Sequence, residues 1–324
     1  MTFPSPRSAR RRASRLAVAV LVAVVGCAGR PEAVATPPAP ATPLDSAAAA
    51  SEAQLRADVA WLAAPARNGR YAGTRESDSV AAYLERRYQA LGIAGAYESG
   101  YRQRFRMSDG QATNVAAVIP GTDRALAREV IVVGAHRDHI GHSAWLAMDP
   151  DLGPVLRPGA DDNASGTAAV LEVARRLAAR PTRRTVLVVH FDAEELGLLG
   201  SQAFIEHPPV ARSAVRLMLN LDMVGRLRAD RLYVEVARGG RAVQALVDSV
   251  TRAGSLRPVP TSETSGRSDQ STFAEWPVPA VALFTGFHAD YHRASDTPAR
   301  VNVPGIRRVV DVAESLVRAV ANRP

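Results

Sequence analysis

Lysine is absent from this sequence, and cysteine occurs once, at Cys27. A single cysteine excludes a disulfide framework, a cysteine-based zinc finger and a cysteine-ligated iron–sulfur cluster. The lack of lysine excludes a phosphate-binding loop of the Walker type, which requires that residue. All 40 basic residues are therefore arginine, and against 32 acidic residues they give a formal net charge of +8 over 324 residues.

The N-terminal residues account for both the lone cysteine and most of the charge. Five arginines precede an apolar run at residues 16–25, which has the length of a signal-peptide core and is shorter than the roughly 20 residues of a transmembrane helix. The run ends at Gly26-Cys27, which resembles a bacterial lipobox, so we predict lipidation of Cys27; an ordinary secretory signal is the alternative. Removing residues 1–26 would lower the net charge to +3, so no nucleic-acid partner is predicted.

Three segments are predicted along the chain: a lipoprotein signal peptide at 1–26, a tether at 27–50 and a globular domain at 51–324. The tether is rich in alanine and proline, a composition that cannot form a core and favours an extended chain. A lipid anchor followed by a tether predicts an exported protein of the cell envelope, held by the lipid bilayer at the outer membrane or the periplasmic face. The oligomeric state is left open, with a monomer favoured.

Short β-rich runs alternate with helical patterns through the globular domain. The predicted strands are residues 114–119, 130–135, 185–191, 215–223, 232–236 and 280–284. The predicted helices are residues 51–64, 76–91, 164–179, 196–207, 242–253 and 303–321. This alternation predicts an α/β fold with a mostly parallel, mixed sheet between helices. In such sheets, ligands bind beyond the carboxyl ends of the strands.

Histidine and carboxylate side chains follow the ends of four predicted strands, and a carboxylate-rich turn at residues 159–166 opens a helix between two of them. Imidazole and carboxylate ligands without thiolate suit Zn²⁺, with Mn²⁺ or Co²⁺ as possible substitutes. The sequence therefore predicts a metal site at this edge of the sheet. His139 and His142 follow the first of these strands and receive no assigned role. The side chains at the strand ends are His136, Asp138, Glu194, Glu195, Asp222 and His292.

In their order along the chain, these motifs resemble the co-catalytic zinc peptidase family of aminopeptidase S, aminopeptidase Y and glutamate carboxypeptidase II. The resemblance implies a zinc exopeptidase-like fold, two Zn²⁺ ions and the hydrolysis of N-terminal amino acids from peptide substrates, and so a catalytic role for residues 51–324. The segments that carry it are His136-Arg137-Asp138 and residues 159–166, 193–201, 221–223 and 291–297.

The resemblance also implies the metal ligands. Asp161 would bridge the two ions, and the peptide bond after it would be cis. His136 and Asp222 would complete one site, and Glu195 and His292 would complete the other.

The remaining roles concern side chains around the ligands. Glu194 would be the general base that takes a proton from the attacking water. Asp138 would orient His136 by accepting its other ring N–H, a common arrangement for metal-bound histidine. Asp296 is expected to support His292.

A zinc aminopeptidase is the favoured function, and three alternatives remain open. They are a glutaminyl cyclase-like acyltransferase with a single zinc ion, a carboxypeptidase or other amide hydrolase, and a non-catalytic binding lipoprotein. The sequence also departs from the family at two positions. Gln270 stands where many members have histidine, and Ser265 stands where some aminopeptidases have tyrosine. The oxyanion-stabilising residue is therefore not assigned.

Overall fold

The computed structural model of the protein describes residues 43–323. The predicted signal peptide, Cys27 and residues 27–42 of the predicted tether lie outside this range, so lipidation stays a prediction. Among the described residues, no helix combines the length and apolarity needed to cross a membrane.

A mixed sheet of nine strands lies at the centre of residues 43–323. The strands are β1 (Ala94–Gly95), β2 (Arg102–Met107), β3 (Gly110–Ile119), β4 (Val130–His136), β5 (Thr185–Phe191), β6 (Val215–Leu221), β7 (Arg231–Arg238), β8 (Arg257–Pro260) and β9 (Ala280–Phe284). Their order is β1-β3-β5-β4-β6-β9-β7-β8, with β2 paired to β3. The four central strands are parallel, whereas β1, β2 and β3 on one side and β7 on the other join by antiparallel pairing.

Helices cover both faces of this sheet. They are α1 (Pro43–Leu62), α2 (Arg75–Ala90), α3 (Gly166–Ala179), α4 (Leu199–Glu206), α5 (Gly240–Ala253), α6 (Gln270–Phe273) and α7 (Val303–Ala321). Alternate residues of β5 enter different cores: Val186 and Val188 pack with α1, α2, α3, α5 and α7, and Leu187 and Val189 pack with α4 and α6. The predicted α/β architecture, with a mixed sheet between helices, is confirmed.

The first helix begins before the predicted end of the tether. The prediction placed residues 43–50 in an extended tether, but they form the first turns of α1. Four consecutive alanines at 47–50 explain this difference, because alanine has the highest intrinsic helix propensity. Further along α1, Leu55, Val59 and Leu62 are buried in the core. The folded unit therefore includes residues that composition alone assigned to a linker.

Candidate metal centre

The parallel centre of the sheet brings the predicted strand-end residues to one edge, because parallel strands end on the same side. His136 is the last residue of β4, and Asp222 directly follows β6. Glu194 and Glu195 lie on the loop after β5, and Asp162 lies on the turn before α3. Residues from four separate chain segments therefore meet in one acidic cluster.

One group of possible metal ligands surrounds the imidazole of His136. Its Nε2 lies 3.3 Å from Asp222 Oδ1 and 3.4 Å from Asp162 Oδ1. Ser268 Oγ donates a hydrogen bond of 2.6 Å to the other oxygen of Asp222, which leaves Oδ1 directed at His136. These three side chains are buried and can each offer one ligand atom to a single ion.

A second group adjoins the first. His292 Nε2 lies 3.1 Å from Asp162 Oδ2 and 3.0 Å from Glu195 Oε2. His139 Nδ1 lies 2.8 Å from Glu195 Oε1, so a histidine without a predicted role belongs to this group. Asp162 presents one oxygen to each group. The carboxylate of Asp162 thus lies between two neighbouring groups of possible metal ligands.

The predicted bridging role of Asp161 is wrong by one residue. Asp161 Oδ1 accepts hydrogen bonds from the Gly225 N–H at 2.6 Å and from Ser165 Oγ at 2.9 Å, and Oδ2 lies 3.0 Å from His288 Nε2. These partners hold its carboxylate away from both ligand groups. The predicted cis peptide bond is shifted in the same way, since the bond between Asp162 and the following residue is cis.

The cluster has the donor set of a cation site. His292 Nδ1–H donates to the Leu146 carbonyl at 2.8 Å, so in the neutral imidazole the lone pair is on Nε2. That nitrogen and Asp162 Oδ2 are buried, and neither has a hydrogen-bond partner among residues 43–323. Two lone pairs 3.1 Å apart repel each other unless a cation or a proton lies between them. Nitrogen and carboxylate oxygen donors in this arrangement fit zinc.

Asp138 contacts both His136 and the loop that carries Glu194 and Glu195. One of its oxygens is 3.6 Å from His136 Nδ1, which makes the contact electrostatic, longer than a hydrogen bond. The same carboxylate accepts the backbone N–H groups of Glu194 at 3.1 Å and Glu195 at 3.3 Å. Asp138 therefore positions the loop that carries both glutamates.

Glu194 differs from Glu195 in its surroundings. Burial raises the pKa of Glu194 well above its ordinary value, against the charge of His136, and Glu195 and Asp222 add to the rise. Burial and Asp162 act in the same direction on Glu195, yet His292 and His139 hold its pKa down, at about 2. Glu195 therefore remains ionised and paired with the two histidines, whereas Glu194 has the raised pKa that suits proton transfer.

Asp296 supports a different part of the site from the one predicted. Its Oδ2 accepts the backbone N–H groups of Asp161 at 2.9 Å and Asp162 at 3.1 Å, and its Oδ1 pairs with Arg226 at 2.9 Å. The expected support of His292 comes instead from the Leu146 carbonyl. Asp296 therefore fixes the turn that presents the shared carboxylate.

Arg70 is a further supporting residue that sequence reasoning missed. Its guanidinium is fully buried and donates to the carbonyls of Pro158 at 2.7 Å, Gly159 at 2.8 Å and Arg137 at 2.9 Å. Burial lowers the pKa of Arg70 to about 10, so it remains a cation at neutral pH. It ties the ligand turn to the end of β4. No motif signals this role, because the partners are main-chain groups of distant segments.

A cavity of about 280 Å³ opens onto both ligand groups. Its apolar lining residues include Leu198, Met223, Phe284 and Phe287. Tyr291 also lines the cavity, and its ring stacks on His292 with centroids 4.0 Å apart. Burial and the surrounding carboxylates raise the pKa of Tyr291, so its hydroxyl keeps its proton. The cavity thus combines acidic, apolar and neutral donor groups.

Comparisons with known proteins agree with this geometry. The family described as Peptidase family M28 matches residues 114–317. Leucine aminopeptidase 2 of Trichophyton rubrum is 30% identical over 219 residues, which are 58% of this chain and 41% of that relative. The chain therefore spans about two fifths of the relative's length.

Two solved structures share the fold. A Zn-dependent exopeptidase from Parabacteroides distasonis superposes with a TM-score of 0.69 at 20% identity, covering 84% of this chain and 98% of the other. Glutaminyl cyclase from Porphyromonas gingivalis also gives 0.69, at 19% identity, covering 83% and 98%. At these identities the two matches establish the fold, and the residues of the site must indicate the chemistry.

Proposed function

This chain belongs to Peptidase family M28, and from that premise we propose that it is a di-zinc aminopeptidase that removes N-terminal amino acids from peptides. The observation that carries the proposal is the carboxylate of Asp162, which directs one oxygen to each of two adjacent ligand groups. A shared carboxylate holds two cations a few ångströms apart, the arrangement used in two-metal hydrolysis.

The proposed ligands divide between two ions. His136 and Asp222 would hold one ion, His292 and Glu195 would hold the other, and Asp162 would contact both. When bound, such a pair of ions would activate the attacking water and polarise the scissile carbonyl. His139 pairs with Glu195 at 2.8 Å, so we assign it to orienting that ligand.

Glu194 is the proposed general base. It borders the cavity and lies close enough to His136 and Glu195 to form a third possible ligand group, but it belongs neither to the group around Asp162 and Asp222 nor to the group around His292. It would take the proton of the attacking water and return it to the leaving amine, a function for which a raised pKa is suited. Tyr291, a neutral donor in the same cavity, is the proposed donor to the oxyanion.

The size and lining of the cavity favour an exopeptidase. Its volume of about 280 Å³ lies just below the roughly 300–1,000 Å³ of sites for drug-sized ligands, so it accepts a terminal residue in preference to a long segment. Leu198, Met223, Phe284 and Phe287 contribute an apolar lining, which favours contact with the hydrocarbon part of that residue.

The test is a panel of substrates with the purified protein, with and without added zinc. We expect hydrolysis of leucyl-p-nitroanilide, no hydrolysis of its N-acetylated form, and two zinc ions per chain. Equal hydrolysis of the N-acetylated form would contradict an aminopeptidase. Cyclisation of peptides with N-terminal glutamine and binding of one zinc ion would instead favour the glutaminyl cyclase alternative.

We also propose that the chain is lipidated at Cys27 and anchored to a membrane of the cell envelope. The support is the apolar run that ends at Gly26-Cys27. One acyl chain binds a bilayer only marginally, so stable anchoring needs the several chains of a bacterial lipoprotein. Cys27→Ser should release the protein from the membrane fraction. Continued sedimentation of the variant with membranes would contradict this proposal.

A further inference from the structure

The catalytic cavity is lined by one arginine among the described residues. Arg267 lies on the loop between β8 and α6, and its guanidinium lies 5.9 Å from the ring centroid of Phe287, which is one of the apolar lining residues. The side chain is exposed. It therefore lies where a substrate in the cavity meets solvent and is able to contact that substrate.

Arg267 differs from the arginines of the protein interior in having no polar partner. Arg137 and Arg226 pair with carboxylates at 2.6 Å and 2.9 Å, and Arg157 pairs with Asp149 at 2.6 Å. Within residues 43–323, the guanidinium of Arg267 has only its contact with Phe287. Its five N–H donors remain free to bind an incoming group.

The charge balance of the cavity indicates which group would bind. Four carboxylates line it, those of Asp162, Glu194, Glu195 and Asp222. Bound ions must be included in the charge of a site. With Glu194 in its proton-accepting, ionised form, two divalent ions at the proposed sites would balance these four negative charges. Arg267 then remains as the one unbalanced formal charge among the described lining residues, and it is positive.

Resting on the proposed aminopeptidase function, we propose that Arg267 determines specificity by binding a carboxylate of the substrate. A guanidinium matches a carboxylate in both charge and planar geometry. The carboxylate has two possible sources in a peptide: an acidic side chain on the N-terminal residue, or the main-chain carboxylate of a dipeptide. Both present the same chemistry to Arg267, and substrate pairs can separate them.

The experiment measures kcat/KM for two pairs of nearly isosteric substrates. Glutamyl- and glutaminyl-p-nitroanilide differ in the side-chain charge, and Leu-Gly and Leu-Gly-amide differ in the terminal charge. The variants are Arg267→Gln, which removes the charge, and Arg267→Lys, which keeps it. Arg241→Gln is the matched control, because Arg241 is exposed on α5 and does not line the cavity.

We expect Arg267→Gln to lower the charged-to-neutral ratio of kcat/KM in at least one pair by roughly fivefold, the equivalent of about 1 kcal/mol for an exposed ion pair. The affected pair identifies the source of the carboxylate. Arg267→Lys should retain part of the ratio, and Arg241→Gln should retain all of it.

Two results would overturn the proposal, and they can be told apart from failure of the proposed function. Unchanged ratios in a variant that still hydrolyses leucyl-p-nitroanilide would show that Arg267 binds no carboxylate. An equal loss on all substrates would show that it acts only through Phe287. If the unmodified protein fails to hydrolyse leucyl-p-nitroanilide, the aminopeptidase function itself is wrong, and the proposal fails with it.

Discussion

Asp161 and Asp162 are consecutive, chemically identical residues with different surroundings, and substitution should separate them. Asp162→Asn removes the charge shared by two ligand groups, so zinc bound to both sites should fall. Asp161→Asn weakens the contacts to Gly225 and His288 and should lower stability while zinc binding persists. Elemental analysis of both variants checks this. Loss of zinc from Asp161→Asn alone would restore the original assignment.

Substitutions of the neighbouring residues Glu194 and Glu195 should have different effects. Glu194→Gln keeps the size of the side chain but cannot accept a proton, so zinc content should stay constant while kcat falls by about 10²–10⁴. Glu195→Gln removes a negative ligand, so zinc should bind more weakly and added zinc should restore part of the activity. The reverse pattern, with zinc lost only from Glu194→Gln, would contradict these roles.

His190, which is not one of the proposed metal ligands, allows a test of how folding stability depends on pH. It lies within β5, with its Nε2 2.6 Å from the Tyr88 hydroxyl, and burial, aided by the charge of Arg137, lowers its pKa to about 3. The unfolded chain, with an ordinary histidine pKa of about 6.5, therefore binds a proton that the folded chain does not. This contribution to stability is complete above pH 6.5 and is lost as the pH falls toward 3.

The substitution His190→Gln removes that titration. Between pH 7 and pH 5, the metal-free wild-type protein should lose roughly 2 kcal/mol more unfolding free energy than the variant. Urea denaturation at the two pH values measures the difference. His207→Gln is the control, since His207 is exposed and should behave as the wild type. If the unfolding free energies of all three proteins depended equally on pH, His190 would not be held neutral in the folded protein.

At the scale of elements, substitutions in α1 test whether this first helix is packed against the rest of the fold. Leu55 is fully buried in the core, and Ser51 Oγ donates to Glu172 of α3 at 2.6 Å. Leu55→Ala should lower the unfolding free energy by about 2–5 kcal/mol. Arg56 directly follows Leu55 and is exposed, so Arg56→Ala should change the unfolding free energy by no more than about 0.5 kcal/mol. Equal effects in urea denaturation would show that α1 is not packed.

The elements that the sequence predicts best are those buried on both faces. The bounds of β5 and β9 agree with the prediction, because strands covered on both sides consist of continuous apolar runs between polar residues. The edge strand β2 was missed. It carries Arg102, Arg104 and Arg106, which protect a sheet edge but remove the apolar pattern of a strand.

The sequence also predicts which side chains of the site come from strand ends. His136, Glu195, Asp222 and His292 come together because His136 ends a strand of the parallel centre and the other three follow such strands. The choice between adjacent aspartates could not be predicted, because it depends on the contacts that Asp161 makes with loops more than 60 residues away. Topology determines which segments meet, and tertiary contacts determine which side chain of a segment faces the proposed metal sites.

For the whole molecule, the site implies that stability depends on metal and on pH together. In the metal-free protein, Glu194 and Asp222 raise the pKa of His136 well above its ordinary value, although burial opposes them. Glu195 and Asp162 likewise raise the pKa of His292, to about 11. Zinc must displace these protons, so its affinity should fall as the pH falls. Their contribution to the stability of the metal-free fold is complete below pH 6.5 and is lost as the pH rises through their raised pKa values, which for His292 is about 11.

Chelation should therefore lower Tm more at pH 8 than at pH 6, because zinc binds more tightly at the higher pH and the two histidines stabilise the metal-free fold less there. Free zinc at 100 times its Kd stabilises the fold by about 2.7 kcal/mol per site, and the chelator removes this contribution. Thermal scans with and without EDTA at both pH values measure the effect. Asp162→Asn, which should bind little zinc, is the control and should show almost no response to EDTA. A larger decrease at pH 6 than at pH 8 would contradict the proposed competition between zinc and protons.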